Sequence, residues 1–129
     1  MLAVFDMDRG TMKAKVPIGR GCGAVSYNPG ARRVYASSGV AANVAVVQQH
    51  PTDPDRYALL EAVTTSVGAS RVAVDDENDT LWTAFAEGAY DPTWPIDPDS
   101  AGVPLFPNVY YPNSIKIVSL KASNPAPRG

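Results

Sequence analysis

Short apolar runs of period two, each closed by turn residues, recur along the chain and predict strands rather than helices. Leu2 to Phe5 and Lys13 to Ile18 flank the turn Met7-Asp8-Arg9-Gly10. Ala24 to Tyr27 meets Arg33 to Ser37 across Asn28-Pro29-Gly30-Ala31, where proline presets φ and glycine accepts positive φ. Asn43 to Gln48 returns as Tyr57 to Thr65 after a proline-containing connector, and Val72 to Val74 returns as Thr80 to Phe85 after Asp75-Asp76-Glu77-Asn78-Asp79. Ser114 to Leu120 is the last strand. Only Arg56 to Val63 is apolar enough in both periods to leave helix and strand open.

Part of this pattern is a copy. Tyr35 and Trp82, Val34 and Leu81, Val25 and Val72, and Gly21 and Gly68 are each separated by 47 positions. A period of that length is typical of β-propeller blades. With four strands per blade labelled a to d from the axis outward, the chain reads c-d, then a-b-c-d, then a-b-c. The expected fold class is therefore all-β, with antiparallel four-stranded β-propeller blades in an incomplete propeller. Its parts would be about two blades over 1–122, a loop inserted over 88–113, and a flexible tail over 123–129. A ring takes about 4 to 8 blades, so these cannot close by themselves. A fragment of a longer protein is the favoured explanation, ahead of assembly with other copies or a small β-sandwich.

Composition narrows the partners. The 129 residues, 45% apolar and 19% charged, suit one soluble domain with a core. With a net charge of -2 and basic residues scattered among acids, the positive field that attracts phosphate backbones is missing, and no nucleic acid is expected as a partner. No apolar run approaches the roughly 20 residues of a membrane span. The start, Met1-Leu2-Ala3-Val4-Phe5, has no basic leader and is not expected to be a signal peptide. One cysteine, Cys22, and one histidine, His50, give no basis for a disulfide or a Cys/His zinc site. No cofactor is expected.

The segment Gly88 to Asn113 replaces the short connection seen after Ser37. It holds Tyr90, Asp91, Trp94, Asp97, Asp99, Phe106, Tyr110 and Tyr111 among many prolines. Long loops in compact domains are uncommon and disproportionately functional, and proline density limits the entropy lost on ordering. In a propeller the b-c and d-a connections share one face, which would bring Arg20 to the same side. The expected ligand-binding set is Arg20, Tyr90, Asp91, Trp94, Asp97, Asp99 and Tyr110, facing a protein or small-molecule ligand. The plain alternative is a loop that covers the blade face with Trp94, Phe106 and Tyr110.

Other candidates read as structure. Asp91, Asp97 and Asp99 form an acid/base pair only if the loop folds two of them together, and no catalytic residue is assigned. Asp75-Asp76-Glu77-Asn78-Asp79 misses the alternation and central glycine of a calcium loop and reads as a solvated turn. Gly19-Arg20-Gly21-Cys22-Gly23 precedes a strand, so no helix N-terminus is present to hold a phosphate. Cys22 is expected to be small and buried, and His50 to lie at the surface.

The hairpin Ser26-Tyr27-Asn28-Pro29-Gly30-Ala31-Arg32-Arg33-Val34-Tyr35-Ala36-Ser37-Ser38-Gly39 resembles the YVTN-type β-propeller repeat, in which a proline-glycine turn leads into Tyr-Val-Thr-Asn. Val44-Ala45-Val46-Val47 and Ile115-Lys116-Ile117-Val118-Ser119-Leu120 are similar to its strand c, and Ser66-Val67-Gly68 to the exit of strand d. The resemblance implies a binding scaffold, periplasmic or secreted, whose partners are a protein or small ligand and either the remaining blades of the same chain or other copies. Similar folds in lactonases and in quinoprotein or haem-linked dehydrogenases supply the alternative of a propeller enzyme. A shared architecture does not transfer a mechanism.

Overall fold

The computed structural model describes residues 1–93 and 107–123, and every regular element among them is a strand. They are β1 (Leu2–Asp6), β2 (Thr11–Val16), β3 (Cys22–Asn28), β4 (Arg33–Ser38), β5 (Asn43–Gln49), β6 (Tyr57–Thr64), β7 (Arg71–Asp75), β8 (Thr80–Ala89) and β9 (Val109–Leu120). The chain is all-β, and the ambiguous segment after Arg56 is strand β6. Three antiparallel sheets form, ordered β1-β2, β3-β4-β5-β6 and β7-β8-β9, and none closes into a barrel. No helix among the described residues is long and apolar enough to cross a membrane.

Register shows one template under the three sheets. Val25, Ser26 and Tyr27 of β3 pair with Ala36, Tyr35 and Val34 of β4. Val72, Ala73 and Val74 of β7 pair with Thr83, Trp82 and Leu81 of β8, each residue 47 positions later. The other two hairpins agree as well. Leu2–Val16, Val4–Ala14 and Phe5–Met12 in β1–β2 correspond to Val44–Val63, Val46–Glu61 and Val47–Leu59 in β5–β6, with a bulge at the same step. Because side chains alternate, a slip of one residue would turn each strand's apolar set to the wrong face. A common register therefore means a common assignment of faces.

The sheets stack with like strands adjacent, β2 against β6 and β3 against β7. Between the second and third sheets Tyr35, Val44 and Val46 meet Leu81, and Leu60, Val63, Val72, Val74 and Leu120 pack around them. A fully buried side chain such as Val44 or Val46 contributes about 1.5–3 kcal/mol over remaining exposed, and the partly buried ones less. Apolar burial supplies the bulk of the adhesion.

A polar cluster fixes how the two sheets meet. Asn28, Arg33 and Gln48 lie in one row across β3, β4 and β5, and the turn after β7 lowers Asp79 onto that row. The Arg33 guanidinium donates from Nη1 to Asp79 Oδ2 at 2.8 Å, and Tyr35 Oη and Asn28 Nδ2 donate to Asp79 Oδ1 at 2.5 and 2.9 Å. Arg33 Nε also donates to Gln48 Oε1 at 3.0 Å. Arg33 is 1% exposed and Asp79 26%, so this is a largely dehydrated ion pair. Asp79 reaches inward from a left-handed backbone conformation at φ 48°, which aspartate and asparagine tolerate better than most residues.

Two expectations are corrected here. The acidic turn is not solvated throughout: Asp75 is half-buried and receives hydrogen bonds from Asn78, as turn chemistry requires, but Asp79 is the bridge between sheets. Cys22 is exposed, because it opens β3 at its frayed end, where the register with β4 shifts before Ala24.

Asp79→Asn, which suits the same backbone, takes the carboxylate away from a guanidinium that is 1% exposed and lowers stability by about 3 kcal/mol in urea unfolding. A loss under about 1 kcal/mol would contradict the bridging role. Burial, reinforced by the hydrogen bond and charge of Asp79, raises the Tyr35 hydroxyl above its ordinary 10.0. The folded chain then holds this proton more tightly than the unfolded one. The stability it contributes is complete below pH ~10 and falls as pH rises further. Urea midpoints of the native chain decline over that alkaline range, and Tyr35→Phe makes the decline shallower.

Candidate functional site

One end of the stack gathers the connections that precede β3 and β7 and follow β4. Gly39 N donates to Gly21 O and Gly68 N to Gly39 O, both at 3.0 Å, and Ala41 N donates to Arg20 O at 3.2 Å. Gly21 sits at φ 71° with Val40 packed where a Cβ would project, so a side chain would break this contact. The β8–β9 connection joins the array through Pro107, whose ring lies against Gly68 and Gly88. The shared end expected for these connections is present.

The insertion is narrower than its sequence suggests. β8 continues to Ala89 and β9 begins at Val109, with Gly88 opposite Tyr110 and Ala89 opposite Val109. Val109, Tyr110 and Tyr111 suit a strand surface, and Pro112 is tolerated because β9 lies at a sheet edge. Tyr110 therefore stands on a strand and not in a loop. Gly88 is placed where a Cβ would strike the Val109 carbonyl and the Pro107 ring.

Past this hairpin, Asp91 and Asn108 close the base of the loop. Asp91 N donates to Asn108 Oδ1 at 2.7 Å, and Asn108 Nδ2 returns a hydrogen bond to Asp91 O at 2.8 Å. Asp91 Oδ1 accepts from the Thr93 hydroxyl at 2.6 Å and from Thr93 N at 2.8 Å. These two bonds hold the carboxyl below its ordinary 3.8. Asp91 shapes the loop base, with one carboxylate oxygen already engaged.

Tyr90 and Tyr110 are exposed near this base. Arg20 is exposed as well, and no described residue pairs with its guanidinium; what the fold uses is its carbonyl. Trp94, Asp97 and Asp99 lie outside the described residues. His50 Nδ1 faces Thr52 in the β5–β6 connector and takes no part in the β8–β9 loop base.

Two grooves meet at Ala86. One, of about 630 Å³, is lined by Ala86, Tyr110, Tyr111, Asn113, Ser114 and Ile115. The other, of about 300 Å³, runs from Ser66 and Val67 past Phe85 and Gly88 to Pro107. Glu87 and Lys116 form an ion pair on the neighbouring strands. Ring faces, a phenol, an amide and a hydroxyl support stacking and hydrogen bonding to a ligand. Among the described residues no cluster of His, Cys, Asp and Glu could hold a metal ion. Sequence reasoning missed Ser114 and Ile115 as groove residues, since both read as ordinary strand; only the extended hairpin register brings them beside Tyr110.

Comparison of the chain with protein-family models, curated proteins and solved structures finds no match. Thr93→Ala removes the strongest cause of the Asp91 shift, and in a carboxyl NMR titration Asp91 should then titrate higher, nearer 3.8. An unchanged midpoint would contradict the turn geometry.

Proposed function

We propose that this chain is a segment of a β-propeller-type repeat scaffold that binds a protein or small ligand across its loop end. The repeated register carries the reading: two a-b hairpins 47 positions apart and two c-d hairpins with a matching bulge, stacked like strand to like strand. Such stacking is how propeller blades shield one another's flat faces. The loop end is the binding side because the gathered connections, the exposed Tyr90, Tyr110 and Tyr111, and both grooves occur there. Exposed aromatics beside a concave surface provide large contact area at small entropic cost.

Panning a phage-displayed peptide library against the whole chain tests this. Enriched peptides should compete with one another and lose roughly tenfold or more in affinity on Tyr110→Ala, about 1.4 kcal/mol, while the urea midpoint stays near that of the native chain. Peptides indifferent to Tyr110, or no enrichment at all, would contradict binding at this end.

A further inference from the structure

Two rungs of the last hairpin stand apart from the rest of its sheet. From Leu81–Leu120 to Ala86–Ile115 the β8–β9 ladder is continuous, and then the register shifts before Gly88 meets Tyr110 and Ala89 meets Val109. Those two pairs carry the ribbon that presents Tyr110. Below them lies the register break, and above them the chain leaves for the loop. A strand pair with so few rungs frays unless its open end is held. The second sheet has no such difficulty. Ser38 pairs with Asn43 directly, and the short connection between them is tied down by Ala41 N donating to Arg20 O at 3.2 Å.

Asn108 supplies the hold. Its side-chain amide carries a carbonyl acceptor and an N–H donor, as a peptide group does, and it uses both on one residue across the ribbon. Oδ1 accepts from Asp91 N at 2.7 Å, and Nδ2 donates to Asp91 O at 2.8 Å. Two residues exchange the same pair of bonds across an antiparallel ladder; here a side chain makes them, beyond the last backbone rung. Tyr90 is held between that rung and these bonds. Next to Asn108, Pro107 is buried with its ring against Gly88 and Gly68, where it walls the smaller groove. Tyr110, two residues on, lines the larger groove. One amide therefore braces residues that wall both grooves.

We propose that Asn108 is the positioning residue of the loop end, its amide standing in for a rung of the ladder so that Tyr90, Tyr110 and Pro107 keep the spacing a ligand meets. It acts through those three residues and makes no contact with the ligand itself. This role rests on the loop end being the binding side, and it ties affinity there to one reciprocal pair of hydrogen bonds.

A peptide enriched by panning on the native chain is the probe, titrated at several pH values into the full chain and its variants. Asn108→Ala removes both bonds and should weaken the peptide roughly tenfold at every pH, with the urea midpoint near that of the native chain. Asn108→Asp separates positioning from packing. Its carboxylate accepts from Asp91 N but has nothing to donate to Asp91 O, whereas a protonated carboxyl presents one donor and one acceptor, as the amide does. Affinity relative to the native chain should therefore be low near pH 7 and recover as pH falls toward about 4, the ordinary carboxyl range. Among the described residues the ionisable groups of the hairpin around this amide are Asp91, Glu87, Lys116, Tyr90 and Tyr110, and the connection at 66–68 adds none. All are present in both chains, so the ratio reports the introduced carboxyl. Circular dichroism at each pH establishes that the chains are folded. Should Asn108→Ala not fold, Asn108→Asp compared with itself across pH decides alone. Peptides that need Tyr110 but bind Asn108→Ala as tightly as the native chain overturn the proposal and leave the binding side in place. So does a flat ratio for Asn108→Asp. The absence of any enriched peptide removes the binding side and this role together.

Discussion

The structure turns on the buried charge pair of Arg33 and Asp79. A guanidinium buried between sheets at the first position of a strand is costly unless a carboxylate meets it and its remaining donors are used. Gln48 takes one donor, and Asp79, itself held by Tyr35 and Asn28, takes the charge. Since Asp79 belongs to the neighbouring sheet, the requirement can be met only when the second and third sheets are stacked at one offset. Apolar contact alone would tolerate sliding. The ion pair converts adhesion into alignment, and with it sets the spacing of the connections at the far end.

That alignment carries through the strands to the loop end. The turn after β7 and the connection before it are joined by only five residues of strand, Arg71 to Asp75, so locking Asp79 at one end also places Ser70 and Gly68 at the other. Ser37 Oγ donates to Ser70 O at 2.8 Å, and Gly68 N bonds to Gly39 O. Gly88 and Pro107 rest on this junction, and the aromatic groove with Tyr110 and Tyr111 is built from their hairpin. The groove stands on a short, hydrogen-bonded chain of parts rather than on a free loop.

Much of this was legible in the sequence, for a physical reason. Strand pairing follows from alternating apolar residues and turn residues, and both are local, so strand order and the 47-residue step emerged from inspection. The extent of the last hairpin did not. Pro112 and Gly88 are strand-breaking signals, and only pairing across the sheet reveals that Pro112 falls in the register break between Tyr110 and Ile115 of an edge strand while Gly88 keeps its place opposite Tyr110. Asp79 was hidden for a different reason: five polar residues in a row look alike, and the one turned inward is distinguished by a partner 46 residues earlier. Of the expected ligand-binding set, Tyr90, Asp91 and Tyr110 stand where the last hairpin meets its loop, Arg20 belongs to the adjoining connection, and Trp94, Asp97 and Asp99 lie outside the described residues.

The apolar pattern repeats, but the polar contacts do not. Thr80 stands where Arg33 stands in the previous hairpin, and Asp75 where Asn28 stands. The first and second sheets are joined by a different contact, Lys13 Nζ to the Asp55 carboxylate at 2.8 Å, while Gln49 accepts from Tyr27 and donates to Tyr57 within the second sheet. If faces of like shape were all that mattered, any sheet could stack on any other, and repeat proteins misassemble in this way. A wrong neighbour for the second sheet would bury Arg33 without a carboxylate, at a cost of about 3–5 kcal/mol, comparable to losing one or two core side chains. Shared apolar faces make the sheets adhere, and private polar contacts determine the order in which they do so.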